Sequence, residues 1–142
     1  MTQTAKAELS LELATLILNT AVEKARSLGV LVNIALVDTG PNLKGFFRMD
    51  GALLGAIDVA MRKARTARLF EMESGSLGEL SQPGGPLYNI EHSNGGLITF
   101  YGGVPIKSPN GEIIGAIGVS GSTVENDRAV ALAGATMSGP RS

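Results

Sequence analysis

Apolar residues recur at three- and four-residue spacing from Leu9 through Leu13, Leu16, Ile17, Ala21 and Ala25 to Leu28, while Glu12, Asn19, Glu23, Lys24 and Arg26 fill the other faces. That period belongs to an amphipathic helix. It starts near Ser10 and stops at Gly29, because glycine tolerates the left-handed conformation that commonly closes a helix. From Val30 to Val37 the chain is β-branched and apolar, which suits a strand buried on both faces. Asp38-Thr39-Gly40-Pro41-Asn42 turns the chain into a second strand, Leu43 to Met49, and so short a connection makes an antiparallel hairpin. Asp50 is placed to cap a long helix, Ala52 to Phe70. Its inward positions are Leu53, Ala56, Ile57, Ala60, Ala64 and Ala67, and their small side chains imply close backbone approach. Arg62, Lys63, Arg65 and Arg68 fall on its other faces.

Gly75, Gly78, Pro83, Gly84, Gly85 and Pro86 break up the next stretch, Glu71 to Glu91, leaving one short helix over Ser76 to Leu80 and then a long loop. Structureless loops of this length are often functional. Leu97 to Tyr101, Val104 to Lys107 and Glu112 to Val119 read as three further strands, joined by Gly102-Gly103 and by the turn Ser108-Pro109-Asn110-Gly111. Pro105 fits only near a strand start or on an unpaired edge. Ser122 and Glu125 have capping-box spacing and open a last helix that runs to Met137. The order is helix, two strands, long helix, short helix, three strands, helix. Hairpins with helices segregated between them predict an α+β domain.

Composition narrows the function classes. With 142 residues, 44% hydrophobic, 18% charged and a net charge of −1, the chain reads as a single globular domain over 1–142 with no bias toward nucleic acid. The absence of cysteine removes disulfides, thiolate metal sites and cysteine nucleophiles, and fits a reducing compartment, so a cytoplasmic location is expected. Met1 to Glu8 shows no secretory signal, and no apolar run reaches the ~20 residues of a spanning helix. No membrane association is expected.

Five separated segments stand out together: Val37-Asp38-Thr39-Gly40, Phe47-Arg48-Met49-Asp50-Gly51, Asp58-Val59-Ala60 with Lys63-Ala64-Arg65-Thr66-Ala67, Gly102-Gly103-Val104-Pro105-Ile106, and Gly115 through Ser122 followed by Glu125 and Asp127. In these the chain resembles the GlcG/HbpS, or haem-degrading domain, family, also seen as the C-terminal module of PduO-type corrinoid adenosyltransferases. The motifs occur in family order from Leu9 to Gly134. The resemblance implies a profilin-like fold, a five-stranded antiparallel sheet in the order 2-1-5-4-3 packed with helices. It also implies homo-oligomers, hexamers or octamers. Functions within the family vary, some members resembling haem-binding or haem-degrading proteins and some being encoded with glycolate use, so fold alone does not give chemistry.

His92 is the sole histidine, so any imidazole ligand or base must be this residue, and it is the one metal-ligating candidate if haem binds. The alternative is a solvated loop histidine. Tyr88, Tyr101 and Met49 are lesser ligand candidates, with packing as their alternative. Arg48 and Asp50 flank Met49: they form either an ion pair with a helix cap, or an Arg fork for a carboxylate or propionate. Between Lys44 and Arg68, six basic residues against two acidic ones give a local charge of +4, which suits an acidic small molecule, a subunit contact, or simply a solvated face. Gly118-Val119-Ser120-Gly121-Ser122-Thr123 sets glycines and hydroxyls at a helix start, a ready anion site but neither a P-loop nor a dinucleotide fingerprint. A tightly packed turn is the competing reading there. Zinc-type sites fail by count. Glu125 and Asp127 lack the further oxygens a hard cation needs, and Asp127 is simply an acid of the first helical turn.

The candidate ligand-binding residues are therefore Arg48, Met49, Asp50, Lys63, Thr66, His92, Gly102, Gly103, Ser120, Gly121, Ser122 and Thr123. Three functions are compatible with them. The first is an oligomer that binds haem or a related tetrapyrrole. The second is a small cofactor-independent hydrolase, deaminase or isomerase acting on an acidic metabolite, with Arg48 as anchor and Asp50 or His92 moving a proton. The third is an accessory module without a ligand.

Overall fold

The computed structural model describes residues 8–138; the stretch before Glu8, expected above to carry no secretory signal, lies outside them. The elements are α1 (Leu11–Leu28), β1 (Asn33–Val37), β2 (Leu43–Arg48), α2 (Ala56–Phe70), α3 (Ser74–Leu80), β3 (Gly103–Lys107), β4 (Ile113–Ser120) and α4 (Val124–Ala135). The helix ends of α1 follow local chemistry. Ser10 accepts a hydrogen bond from the Leu13 amide, and Gly29 takes φ 70° while its N–H donates back to Ala25 and Arg26.

The sheet has four strands, not five, in the order β2-β1-β4-β3, with every neighbouring pair antiparallel. The architecture is α+β, and the four strands that form keep the neighbours expected of them. Leu97 to Tyr101 is the missing strand. It joins no ladder, and side chains of α2 and α3 bond its backbone instead: the Ile98 amide donates to Thr66 Oγ1 (3.2 Å) and the Phe100 carbonyl accepts from Ser74 Oγ (2.7 Å). Gly78 of α3 sits directly against the Thr99 carbonyl. β3 is thus an edge strand, which explains how Pro105 is accommodated within it.

Two cores lie on the two faces of this sheet. Ile34 and Leu36 of β1 point toward α1 and α4, joining Ile17, Ala21, Ile117, Val119 and Val130; Ala35 and Val37 point the other way, against Ala60, Ala64 and Ala67 of α2. The alternation is that of any strand, but here both faces are covered. α2 begins at Ala56, four residues later than its apolar pattern suggests, with Gly55 at its N-cap and no side-chain cap bond. Asp50 therefore does not cap it. At α4 the cap is Thr123, which accepts from the Asn126 amide, one residue beyond the Ser122–Glu125 spacing.

The β1–β2 hairpin is held by Asp38, whose Oδ1 accepts from the amides of Gly40 (2.8 Å) and Asn42 (2.7 Å). The Asn42 amide above all holds this carboxyl below its ordinary pKa. A lowered folded pKa means the contribution is present at neutral pH and is lost as pH falls through the folded value. Asp38→Ala is expected to lose about 1 kcal/mol at neutral pH, in line with the loss of a side-chain cap. In urea unfolding the gap to wild type should close under acid conditions, and a gap constant with pH would refute the assignment.

Candidate functional site

Three stretches far apart in sequence meet at one end of the sheet. Asn33, the first residue of β1, lies opposite Arg48 on β2 and opposite Ser120 on β4, so the three side chains form one cross-strand row facing the α2 side. The turn leading into α2 folds over this row: Asn33 Nδ2 donates to the Leu53 carbonyl at 3.0 Å, and the Met49 amide donates to the Val32 carbonyl at 3.2 Å. Gly121, at φ 144°, packs so closely on Leu31 and Val32 that an added Cβ would stand 2.7 Å from the Leu31 oxygen. Arg48, Met49 and Asp50 are thereby brought to the same end of the molecule as Ser120 and Gly121. The Arg48 and Asp50 side chains make no hydrogen bond or ion pair with each other or with any other described residue. Asn33 is fully buried, yet its Oδ1 has no partner among the described residues.

Lys63 is the other unexpected group. Counted in the basic stretch and among the candidate ligand residues, it is fully buried, its Nζ donating to the Val119 carbonyl (2.8 Å) and to Asp127 Oδ2 (3.1 Å), with the Phe100 ring centroid 4.8 Å away. Burial pulls its pKa down, and the Asp127 carboxylate opposes that pull. Asp127 Oδ1 accepts in turn from the Ser122 amide at 3.0 Å. The pair therefore ties α2, the end of β4 and the turn at 120–123 together. Gly102 is where it is because Lys63 runs past it: a Cβ there would stand 2.6 Å from Nζ. Thr66 and Gly103 act in the same framework, Thr66 Oγ1 donating to the Arg62 carbonyl and the Gly103 amide donating to Ser74 Oγ.

His92 lies elsewhere. It is an exposed residue in the short 3-10 turn Ile90–His92. Asn94 and Gly95, just beyond it, face Val37, Pro41 and Leu43 across a cleft at the hairpin end of β1–β2. Asn33 and Val37 are the two ends of β1, about 13 Å apart at ordinary strand rise. A single chain does not bring His92 to the Arg48 row.

Around the edge of β2 runs an open cleft of about 580 Å³, lined by Arg48, Met49 and Asp50, by Phe46, Phe47 and Leu31, and by Asn19, Val22, Glu23 and Arg26 of α1. Phe47 and Leu31 are 37% and 49% exposed, so its walls offer apolar surface to an occupant. The α1 and Phe contributions are absent from the sequence-derived candidate set, as are Asn33 and the pairing role of Asp127. Two signals existed. Asn33 is the one polar residue inside an apolar run, and Lys63 continues the inward stripe Ala56, Ala60, Lys63, Ala67. Among the described residues there is no group of three or more His, Cys, Asp or Glu able to hold a metal ion, and no helix long and apolar enough to cross a membrane.

The model of the family described as "Haem degrading protein HbpS-like" matches residues 9–136. The chain belongs to the HbpS-like family. Corrinoid adenosyltransferase PduO of Salmonella typhimurium is 38% identical over 112 residues, covering 78% of this chain but only 33% of that protein, so the chain spans about a third of that relative. Among solved structures, the PduOC:haem complex superimposes with a TM-score of 0.86 at 33% identity, covering 92% of this chain and 95% of that one. A double mutant of HbpS from Streptomyces reticuli gives a TM-score of 0.82 at 33% identity, covering 94% of this chain and 89% of that one. The two solved structures match this HbpS-like chain over more than nine-tenths of its length, not over one motif.

Proposed function

We propose that this HbpS-like chain binds haem, with the cleft along β2 as its seat. The cleft's mixture of chemistry carries the reading: aromatic and aliphatic walls from Phe46, Phe47, Leu31 and Met49 stand beside the guanidinium groups of Arg26 and Arg48. An apolar macrocycle bearing two carboxylates needs that combination, and Arg48 is free to take a propionate because no described residue pairs with it. Arg26 is engaged only by an exposed Glu23 at 2.7 Å, a contact of small worth that a propionate can replace. The haem complex of the structural relative PduOC supports the choice of ligand. Bound haem would supply an iron centre for ligand binding or redox chemistry. Within one chain Met49 would be the cleft's residue able to hold the iron, and His92 would do so only if a neighbouring subunit presented it.

A homo-oligomer in the cytoplasm is part of the same proposal. Leu53 and Leu54, adjacent in the turn before α2, are 66% and 71% exposed, apolar surface that subunit contacts would cover.

Haemin titrated into the apoprotein is expected to give a saturable Soret band. The Arg26→Glu/Arg48→Glu variant should bind at least tenfold more weakly, since each charge-assisted contact is worth about 1.5–3 kcal/mol. Met49→Ala should shift the band without abolishing it. Wild-type affinity in the double charge variant would remove haem from this cleft.

A further inference from the structure

We propose that the cleft between the β1–β2 hairpin and α2 is a second binding site, and that it takes a small organic carboxylate with an apolar body. It shares no lining residue with the β2-edge cleft and has a volume of about 340 Å³, at the lower end of the range for small-molecule pockets. Pro41 and Leu43 form one wall, Met61 and Arg65 of α2 the floor, and Asn94 with Gly95 the far rim.

The charge in this cleft is arranged, not scattered. Arg62, the neighbouring cation on α2, is tied into the structure: its Nε donates to Asp58 at 2.8 Å, and one terminal nitrogen donates to the carbonyls of Gly95 (2.9 Å) and Gly96 (3.0 Å). Those bonds fix the far rim to α2 and neutralise Asp58, the cleft's one carboxylate. Gly96, at φ 105°, leaves the guanidinium the space a side chain would fill. Arg65 is then the uncompensated cation of the cleft, half-buried and without a hydrogen bond or ion pair among the described residues. A planar guanidinium held at the edge of apolar surface selects a carboxylate, which it binds through two parallel N–H donors. Leu43 and Met61, 55% and 37% exposed, require that the carboxylate carry something apolar. Inorganic phosphate would leave them wet. A tetrapyrrole dianion is excluded by size and by the single free cation.

Octanoate titrated into uniformly ¹⁵N-labelled full-length protein tests this. Amide shifts at residues 42–43, 61–65 and 94–96 are expected to move together and saturate. Arg65→Gln should weaken octanoate binding at least tenfold, and Leu43→Asp, a change at an exposed position, should weaken it as well. Octanamide, equal in shape but uncharged, should fail to saturate the same amides. Haemin binding should be indifferent to Arg65→Gln, so failure of the haem proposal and failure of this one are separate outcomes. Equal saturation by octanamide, wild-type affinity in Arg65→Gln, or shifts confined to the Arg48 end would each overturn the proposal.

Discussion

Lys63→Met destabilises the protein by about 3–5 kcal/mol, the usual result of removing one partner from a buried ion pair and stranding the other. The Lys63 side chain has no solvent exposure and that of Asp127 only 3%, so neither charge can turn to water if the other is lost. Asp127→Asn should cost a comparable amount for the mirror reason, leaving an ammonium with one neutral carbonyl and an aromatic face. The diagnostic is the double variant. Lys63→Met with Asp127→Asn keeps an acceptor for the Ser122 amide and removes both charges, so it should recover much of the loss. Guanidinium unfolding of the four proteins gives the coupling energy directly, and simple additivity of the two losses would show that the pair does not act as a unit. The pH dependence has a definite sign. Burial lowers the folded pKa of Lys63, so between that value and the ordinary lysine value the unfolded chain holds more protons, and stability from this group rises with pH through that alkaline window. Below the folded pKa the desolvation cost is present in full, and Lys63→Met should lack this alkaline rise.

That pair also marks the boundary of what the amino-acid sequence makes legible. The ends of α1 are written locally, in Ser10 and Gly29, and local signals survive folding because their hydrogen-bond partners lie within four residues. The segment 97–101 has the composition of a strand, yet its Ile98 amide and Phe100 carbonyl go to Thr66 and Ser74, partners 32 and 26 positions away whose placement only the packed fold decides. Charge misleads in the same manner. Lys63 sits in register with the inward alanines of α2, but its type suggests water, and the compensating carboxylate arrives from α4 across 64 positions of sequence. The cleft along β2 is hidden for a related reason. Asn19, Glu23 and Arg26 belong to the polar face of α1, and nothing in a helical period says that this face borders an edge strand carrying Arg48. Motif residues at the ends of β2 and β4 were readable because hairpins and Gly-rich turns fix them, and their convergence at Asn33 follows once β1 is the centre of the sheet.

Gly118→Ala is expected to cost about 3 kcal/mol, at the upper end of ordinary overpacking, because no soft side chain stands in the way of the added methyl. Gly118 faces α2 from the middle of β4, and its Cβ would meet the Ala60 carbonyl and the backbone of Ala64, a collision that rotamer changes cannot relieve. α2 must move off the sheet. One residue beyond Gly118, the Val119 carbonyl receives Lys63, and Asp127 holds the same ammonium, so a displacement of α2 also stretches the buried pair. Gly55→Ala is the matched control. Gly55 already has helical angles, φ −61° and ψ −23°, and nothing lies within 4 Å of an added Cβ. There the same methyl restricts only the unfolded chain and should leave stability unchanged or raised by up to about 1 kcal/mol. Thermal melts should therefore fall clearly for Gly118→Ala and not fall for Gly55→Ala. A Gly118→Ala protein as stable as wild type would mean that α2 is not held against β4 by backbone contact, and the placement of Lys63 beneath the 120–123 turn would lose its support.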